Sequence, residues 1–204
     1  MTRNISFATP VLLLGTLFVG AAAVSPDVTP TERDRAGRYL AETRDRLVEA
    51  VSGLSDAQWK FKPAPDRWSV AEIVEHLALI EDIVGTNILP KLAQAAGAPS
   101  HDPKQMDAAI LAKVPDRSEK FQAPPQATPS GRWTPQAALE HFLASRTLTT
   151  QIAKLSPDLR GHIIPHPVLG PLDGYEWVLA VAAHTERHTK QILEVKADPG
   201  FPAK

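Results

Sequence analysis

Four stretches of roughly twenty residues place apolar side chains at helical spacing, and no stretch of useful length alternates apolar with polar residues as a half-buried strand does. The first runs from about residue 31 to 54, with Ala36, Leu40, Leu47, Val51 and Leu54 as its stripe. Ser55-Asp56 and then Lys62-Pro63-Ala64-Pro65 end it. The second opens on Ser69-Val70-Ala71-Glu72, a capping box in which Ser69 and Glu72 satisfy each other's amides. It continues through Ile73, Leu77, Ile80, Val84 and Ile88 and closes at Pro90. The third begins at Thr134-Pro135, an N-cap followed by proline at the first helical position, and runs to about Leu155 with Phe142, Leu148 and Ile152 as its apolar markers. The fourth spans about Tyr175 to Val195 before Asp198-Pro199-Gly200 stops it. Between the second and third, residues 93 to 133 hold six prolines and little periodicity outside Met106 to Val114, which predicts a long excursion with one short helix. Ser156 to Asp173 is a second join, rich in Pro and Gly. The fold class this predicts is all-α: a four-helix bundle without strands, one domain over residues 24–204, with a long proline-rich insert between its second and third helices.

Composition narrows the function. With 22 Lys+Arg against 23 Asp+Glu among 204 residues, the charge balance argues against a nucleic-acid footprint, which would need a basic face or tail. It has no cysteine, so disulfides, thiolate nucleophiles and thiolate metal sites are excluded, and any metal must be held by His, Asp, Glu or water. The N-terminus reads as an export segment. Arg3 is followed by a charge-free run from Ile5 to Pro26, with an apolar core at Val11–Val19 and small residues at Gly20–Ala23. These are the three parts of a secretory signal peptide, residues 1–23, with cleavage after Ala23 and a mature start at Val24. The competing interpretation is an uncleaved membrane anchor, but Gly15, Thr16 and Gly20 interrupt the apolar run. Without twin Arg or a lipidated Cys, the expected route is general export to a periplasmic or secreted location, leaving no membrane attachment after cleavage.

The histidines carry the chemistry. His184 and His188 are spaced i, i+4, so on a helix they share a face at the right separation for two imidazoles on one ion. Trp177, Val181, Gln191 and Val195 lie on that same face, which turns the pair inward. His76 lies one turn from Ile73 and near Ile80 on the inward face of the second helix. Three histidines from two facing helices are how bundles build metal sites. A metalloprotease helix is a poor match: Thr185 follows His184, and Glu186 lies about 200° round the helix from it. Among the others, His166 in the second join is open to three roles: a fourth ligand, a proton shuttle, or a loop histidine bonded to backbone. His141 reads as a core or supporting residue of the third helix, and His101 and His162 as exposed. Glu72 is explained by its cap, Glu75 sits off the His76 face, and Arg187 points to a neighbouring helix or solvent. Trp68 and Trp177 pack at helix ends; Trp133 and Phe121 are candidates for a pocket mouth.

Three segments in this order resemble the DinB-like superfamily. They are Trp68-Ser69-Val70-Ala71-Glu72-Ile73-Val74-Glu75-His76-Leu77, His166-Pro167-Val168-Leu169-Gly170-Pro171-Leu172, and Trp177 followed by His184-x-x-Arg187-His188-x-x-Gln191-Ile192. Leu54-Ser55-Asp56-Ala57-Gln58-Trp59 fits the usual end of that family's first helix, so the resemblance covers about residues 31 to 202. It implies a four-helix bundle holding a divalent ion on three histidines, here His76, His184 and His188. Zn²⁺ is the first expectation, with Ni²⁺ or another divalent ion as alternatives. It also implies a metal-dependent transferase that activates a low-molecular-weight thiol, although export to an oxidising compartment, where free thiol is scarce, argues against the thiol. The alternatives are a hydrolase, or a non-catalytic bundle in which the ion is structural or a small ligand is held. The substrate is a small molecule of unspecified class, and the architecture is compatible with a homodimer.

Overall fold

The computed structural model describes residues 27–95, 97 and 101–203; the signal peptide expected at 1–23 lies outside them. Helix α1 (Pro30–Val51) starts at a Thr29–Glu32 capping box and stops three residues before Leu54, at a turn where Gly53 takes a φ of 66°. Ser55 does not simply end this helix. Its hydroxyl and Gln58 form a second capping box that opens the short helix α2 (Asp56–Lys60), and Trp59 then enters the core. Helix α3 (Val70–Asp82) opens on the expected Ser69–Glu72 box. It runs on through a π-helical segment, Ile83–Ile88, and a 3₁₀ segment, Leu89–Gln94, that contains Pro90. In the π segment the Gly85 backbone lies so near α5 that a Cβ would come within 3.0 Å of the Thr149 hydroxyl. The insert contains the one expected helix, α4 (Pro103–Lys113), and a 3₁₀ turn at Pro125–Ala127.

Helix α5 (Pro135–Leu155) is capped by Thr134 as expected. Its buried face is Ala138, Phe142, Ser145, Arg146, Thr149 and Ala153, whereas Leu148 lies 38% exposed. Of the three apolar markers, Phe142 is buried and Ile152 packs partly against the core, while Leu148 misses the inward face, most of which is built from small and polar residues. The second join is not strand-free. Strand β1 (Ile163–His166) pairs antiparallel with β2 (Gly170–Asp173), with Gly170 at a φ of 80° where the chain reverses. Each strand is four residues long and broken by proline, too short to display an alternating pattern. Helix α6 (Gly174–Lys196) begins at an Asp173–Glu176 capping box and is buried nearly all round.

That burial follows from its neighbours. Helix α1 packs along α6, α3 along α5, and the insert's α4 covers another side of α6. The apolar core falls into two clusters. One gathers Leu40, Val84, Ala153, Tyr175 and Val181; the other gathers Leu47, Leu77, Phe142 and Ile192. Between them, at mid-height on every long helix, lies a buried polar belt. Arg146 donates to Glu81, to the Leu40 carbonyl at 2.9 Å, to Thr43 at 3.0 Å and to Thr185 at 2.6 Å, and Thr149 donates to Glu81 at 3.0 Å. A second buried guanidinium, Arg160, lies over the Tyr175 ring and pairs with Asp107, Asp173 and Glu32 at 2.7–2.9 Å. It ties the insert and the hairpin to the start of α1.

Candidate metal centre

The polar belt sets the rotation of α6, and that rotation aims two histidines. Thr185 is held by Arg146 on one side, while His184 and His188 turn toward α3 and meet His76. The three imidazoles form a cluster in which His184 Nε2 lies 3.3 Å from His76 Nε2 and 3.1 Å from His188 Nε2. Both outer rings have their Nδ1 committed. His76 Nδ1 sits 2.7 Å from the Ala127 carbonyl oxygen, which can only accept, so this nitrogen carries the proton. His188 Nδ1 donates to Gln191 Oε1 at 2.8 Å. Arg117 donates to the same oxygen at 3.3 Å, which fixes the orientation of the Gln191 amide. The neutral tautomers of His76 and His188 therefore present bare Nε2 lone pairs to His184.

This donor set fits a divalent cation. Zn–N bonds of about 2.0–2.1 Å in a tetrahedron put neighbouring ligand nitrogens about 3.3–3.4 Å apart, close to the two spacings seen here. Hydrogen bonding among the rings alone is a poorer account. Two of the three nitrogens are acceptors, so a proton on His184 Nε2 could serve only one of them. His184 Nδ1 is itself buried without a hydrogen-bond partner among the described residues.

Burial lowers the pKa of all three rings. For His76, desolvation outweighs its carbonyl partner; for His184 and His188 it holds the pKa well below 6.5, reinforced by the neighbouring histidines and by Arg187. The rings are thus neutral at pH 7, the form that ligates. The Trp68 indole lies against His76 and His188, with ring centroids 4.9 and 6.3 Å away, and walls the cluster on one side. Gln191 holds His188 from behind, and Glu75, beside His76, is bonded by the Ser130 and Gly131 amides. Gln191 was visible only as a polar residue on an otherwise apolar face, and the orientation of Glu75 depends on a loop with no periodicity.

The remaining candidates fall elsewhere. His166 Nδ1 accepts the amides of Val168 and Leu169 at 3.1 Å, the loop role, and its ring lies against Trp177. His141 bonds Asp82 on the α3–α5 side and lies against Trp133. His101 and His162 are not free in solvent: His101 pairs with buried Glu176 at 2.7 Å, and His162 donates to the Ala95 carbonyl at 2.7 Å. Glu186 accepts from Tyr39 at 2.8 Å, away from the cluster as its helical angle requires. Arg187 is buried and donates to the Val114, Asp116 and Glu119 carbonyls, clamping the insert to α6. Phe121, under that guanidinium, is 58% exposed.

Comparison with known proteins agrees with this architecture. Protein YuaE of Bacillus subtilis (strain 168) is 27% identical over 157 residues, which cover 76% of this chain and 93% of YuaE. Among solved structures, YfiT from Bacillus subtilis, described as a probable metal-dependent hydrolase with an unusual four-helix bundle topology, superposes with a TM-score of 0.54. It shares 15% identity, over 86% of this chain and 91% of that one. The four-helix bundle protein TT2238 superposes with a TM-score of 0.51 at 18% identity, over 79% and 98% of the two chains. The sequence model of the DinB superfamily matches residues 39–192. That span contains all three clustered histidines and most of every helix described above, and the chain accordingly belongs to the DinB superfamily.

Proposed function

We propose that this is an exported metal-dependent enzyme in which His76, His184 and His188 hold one divalent cation, Zn²⁺ before Ni²⁺. The convergence of three Nε2 atoms, two of them with tautomers fixed from behind, carries this proposal. A cation held by three neutral imidazoles keeps a position for substrate and supplies Lewis acidity, polarising a substrate oxygen and easing deprotonation of water or thiol. The protein's own residues do the rest. Trp68 offers an apolar wall, and the two Nδ1 hydrogen bonds keep the ligands neutral and aimed. Nearby carboxylates are engaged elsewhere: Glu75 by loop amides and Glu186 by Tyr39. A nucleophile that ionises easily therefore suits the site better than one needing a strong base, which favours group transfer. Hydrolysis is the alternative, supported by the description of YfiT. A structural ion is the second interpretation, favoured by the burial of His76 and His188.

Protein isolated without an affinity tag from its exported location tests the proposal. The intact mass should begin at Val24, with one divalent ion per chain. Each of His76→Ala, His184→Ala and His188→Ala should abolish stoichiometric binding, while His162→Ala should not. A mass retaining Met1–Ala23 refutes export with cleavage. Wild-type affinity in His184→Ala refutes the site.

A further inference from the structure

The carbonyl that fixes the His76 tautomer belongs to the end of the insert, and that end is held by the residue next to His76. Ala127 closes the 3₁₀ turn, and four residues later the chain reverses at Gly131, with a φ of 72°. There the Ser130 and Gly131 amides each donate to the Glu75 carboxylate at 2.9 Å, and the Arg132 amide does so at 3.4 Å. The Ser130 hydroxyl adds a bond at 3.3 Å, and the Arg132 guanidinium lies 3.6 Å away. Glu75 is only 3% exposed. A buried carboxylate is costly unless its oxygens are satisfied, and here backbone donors of one loop supply most of the partners. Consecutive helical residues diverge by about 100°, so Glu75 and His76 reach two different points of that loop. One pins its amides; the other receives its carbonyl.

We infer that Glu75 is a positioning residue for the metal centre. It holds the 127–132 loop by its amides, which keeps the Ala127 carbonyl on His76 Nδ1 and the His76 Nε2 lone pair turned toward His184. The inference rests on the metal proposal above, and it has an internal control. His188 takes its acceptor, Gln191, from its own helix, so a loosened loop releases His76 and leaves His188 in place. A merely structural Glu75 would lower stability without this asymmetry.

Two variants test it: Glu75→Gln, which keeps the volume, and Gly131→Ala, which strains the loop backbone while placing a Cβ where nothing lies within 4 Å. Zn²⁺ affinity is measured by competition with a chelator, and imidazole N–H signals are recorded on the ion-free protein. Glu75→Gln should weaken Zn²⁺ binding about 10–100-fold, the usual effect of losing a group that orients a ligand. It should also expose the His76 Nδ1–H to fast exchange while the His188 Nδ1–H stays protected. Gly131→Ala should move both readouts the same way by less, and it decides the matter if Glu75→Gln does not fold. Zn²⁺ affinity within about twofold of wild type, or a protected His76 Nδ1–H in the variants, overturns the inference. A wild type that binds no Zn²⁺ refutes the metal proposal instead, and the imidazole signals then still decide whether Glu75 places Ala127 on His76.

Discussion

A single imidazole ring in this protein does three things at once: it packs, it donates from Nδ1, and it keeps Nε2 bare. His76 and His188 both do this, and burial is what makes it possible, because desolvation keeps the rings neutral. The same burial sets a pH dependence. The folded-state pKa of each clustered histidine lies below the unfolded value of about 6.5, so above that pH neither state is protonated and the rings contribute no pH dependence. As pH falls through 6.5 the unfolded chain takes up protons that the folded chain refuses, and stability is lost at up to about 1.4 kcal/mol per pH unit for each ring. In chelator, the melting temperature should therefore fall between about pH 6.5 and 5. Glu176, whose pKa burial raises, works in the opposite direction, so the informative quantity is the difference from a variant. His184→Gln should flatten the slope; an unchanged slope in that variant would refute the assignment.

Among the elements, the polar belt is the most exacting piece of construction. Arg146 and Glu81 are both almost fully covered, and their partners come from α1, α3, α5 and α6. Removing one partner leaves a buried charge unpaired, which costs about 3–5 kcal/mol, whereas replacing both with apolar residues of similar size is often neutral. Arg146→Met should thus lower the urea midpoint sharply, and Arg146→Met with Glu81→Met should recover most of the loss. Losses that simply add would show that the two residues are not coupled. This belt also marks the limit of what the sequence discloses. Capping residues and the 3.6-residue period gave the starts of α1, α3 and α5 and the faces carrying His76, His184 and His188. The inward face of α5 was illegible because Ser145, Arg146 and Thr149 are polar residues made compatible with burial only by partners on other helices. The hairpin was hidden by prolines, α2 by taking the Ser55 cap for a stop, and the roles of His101 and Glu75 by their dependence on the insert.

At the scale of the whole molecule, the question is whether the fold needs the proposed ion. Two apolar clusters and two buried guanidinium networks already join the helices, so the bundle has a core of its own. Chelation at neutral pH should leave the far-ultraviolet circular dichroism spectrum unchanged and lower the melting temperature, reflecting the loss of about 3–4 kcal/mol of linkage stabilisation when the ion is at 100–1,000 times its dissociation constant. Cooperative unfolding on chelation at room temperature would make the ion structural and would rule out the enzyme proposal. One further consequence follows from α6, which is buried nearly all round and is the last of the described helices in chain order. A polypeptide emerging N-terminus first presents α1, α3 and α5 before the element they all pack against exists. Until α6 arrives, these earlier helices have an incomplete core and His76 has no partner ligands. A chain interrupted before α6 would therefore lack both the element on which α1 and α3 pack and the two histidines that face His76, so core closure and assembly of the three-histidine cluster fall at the same step of synthesis.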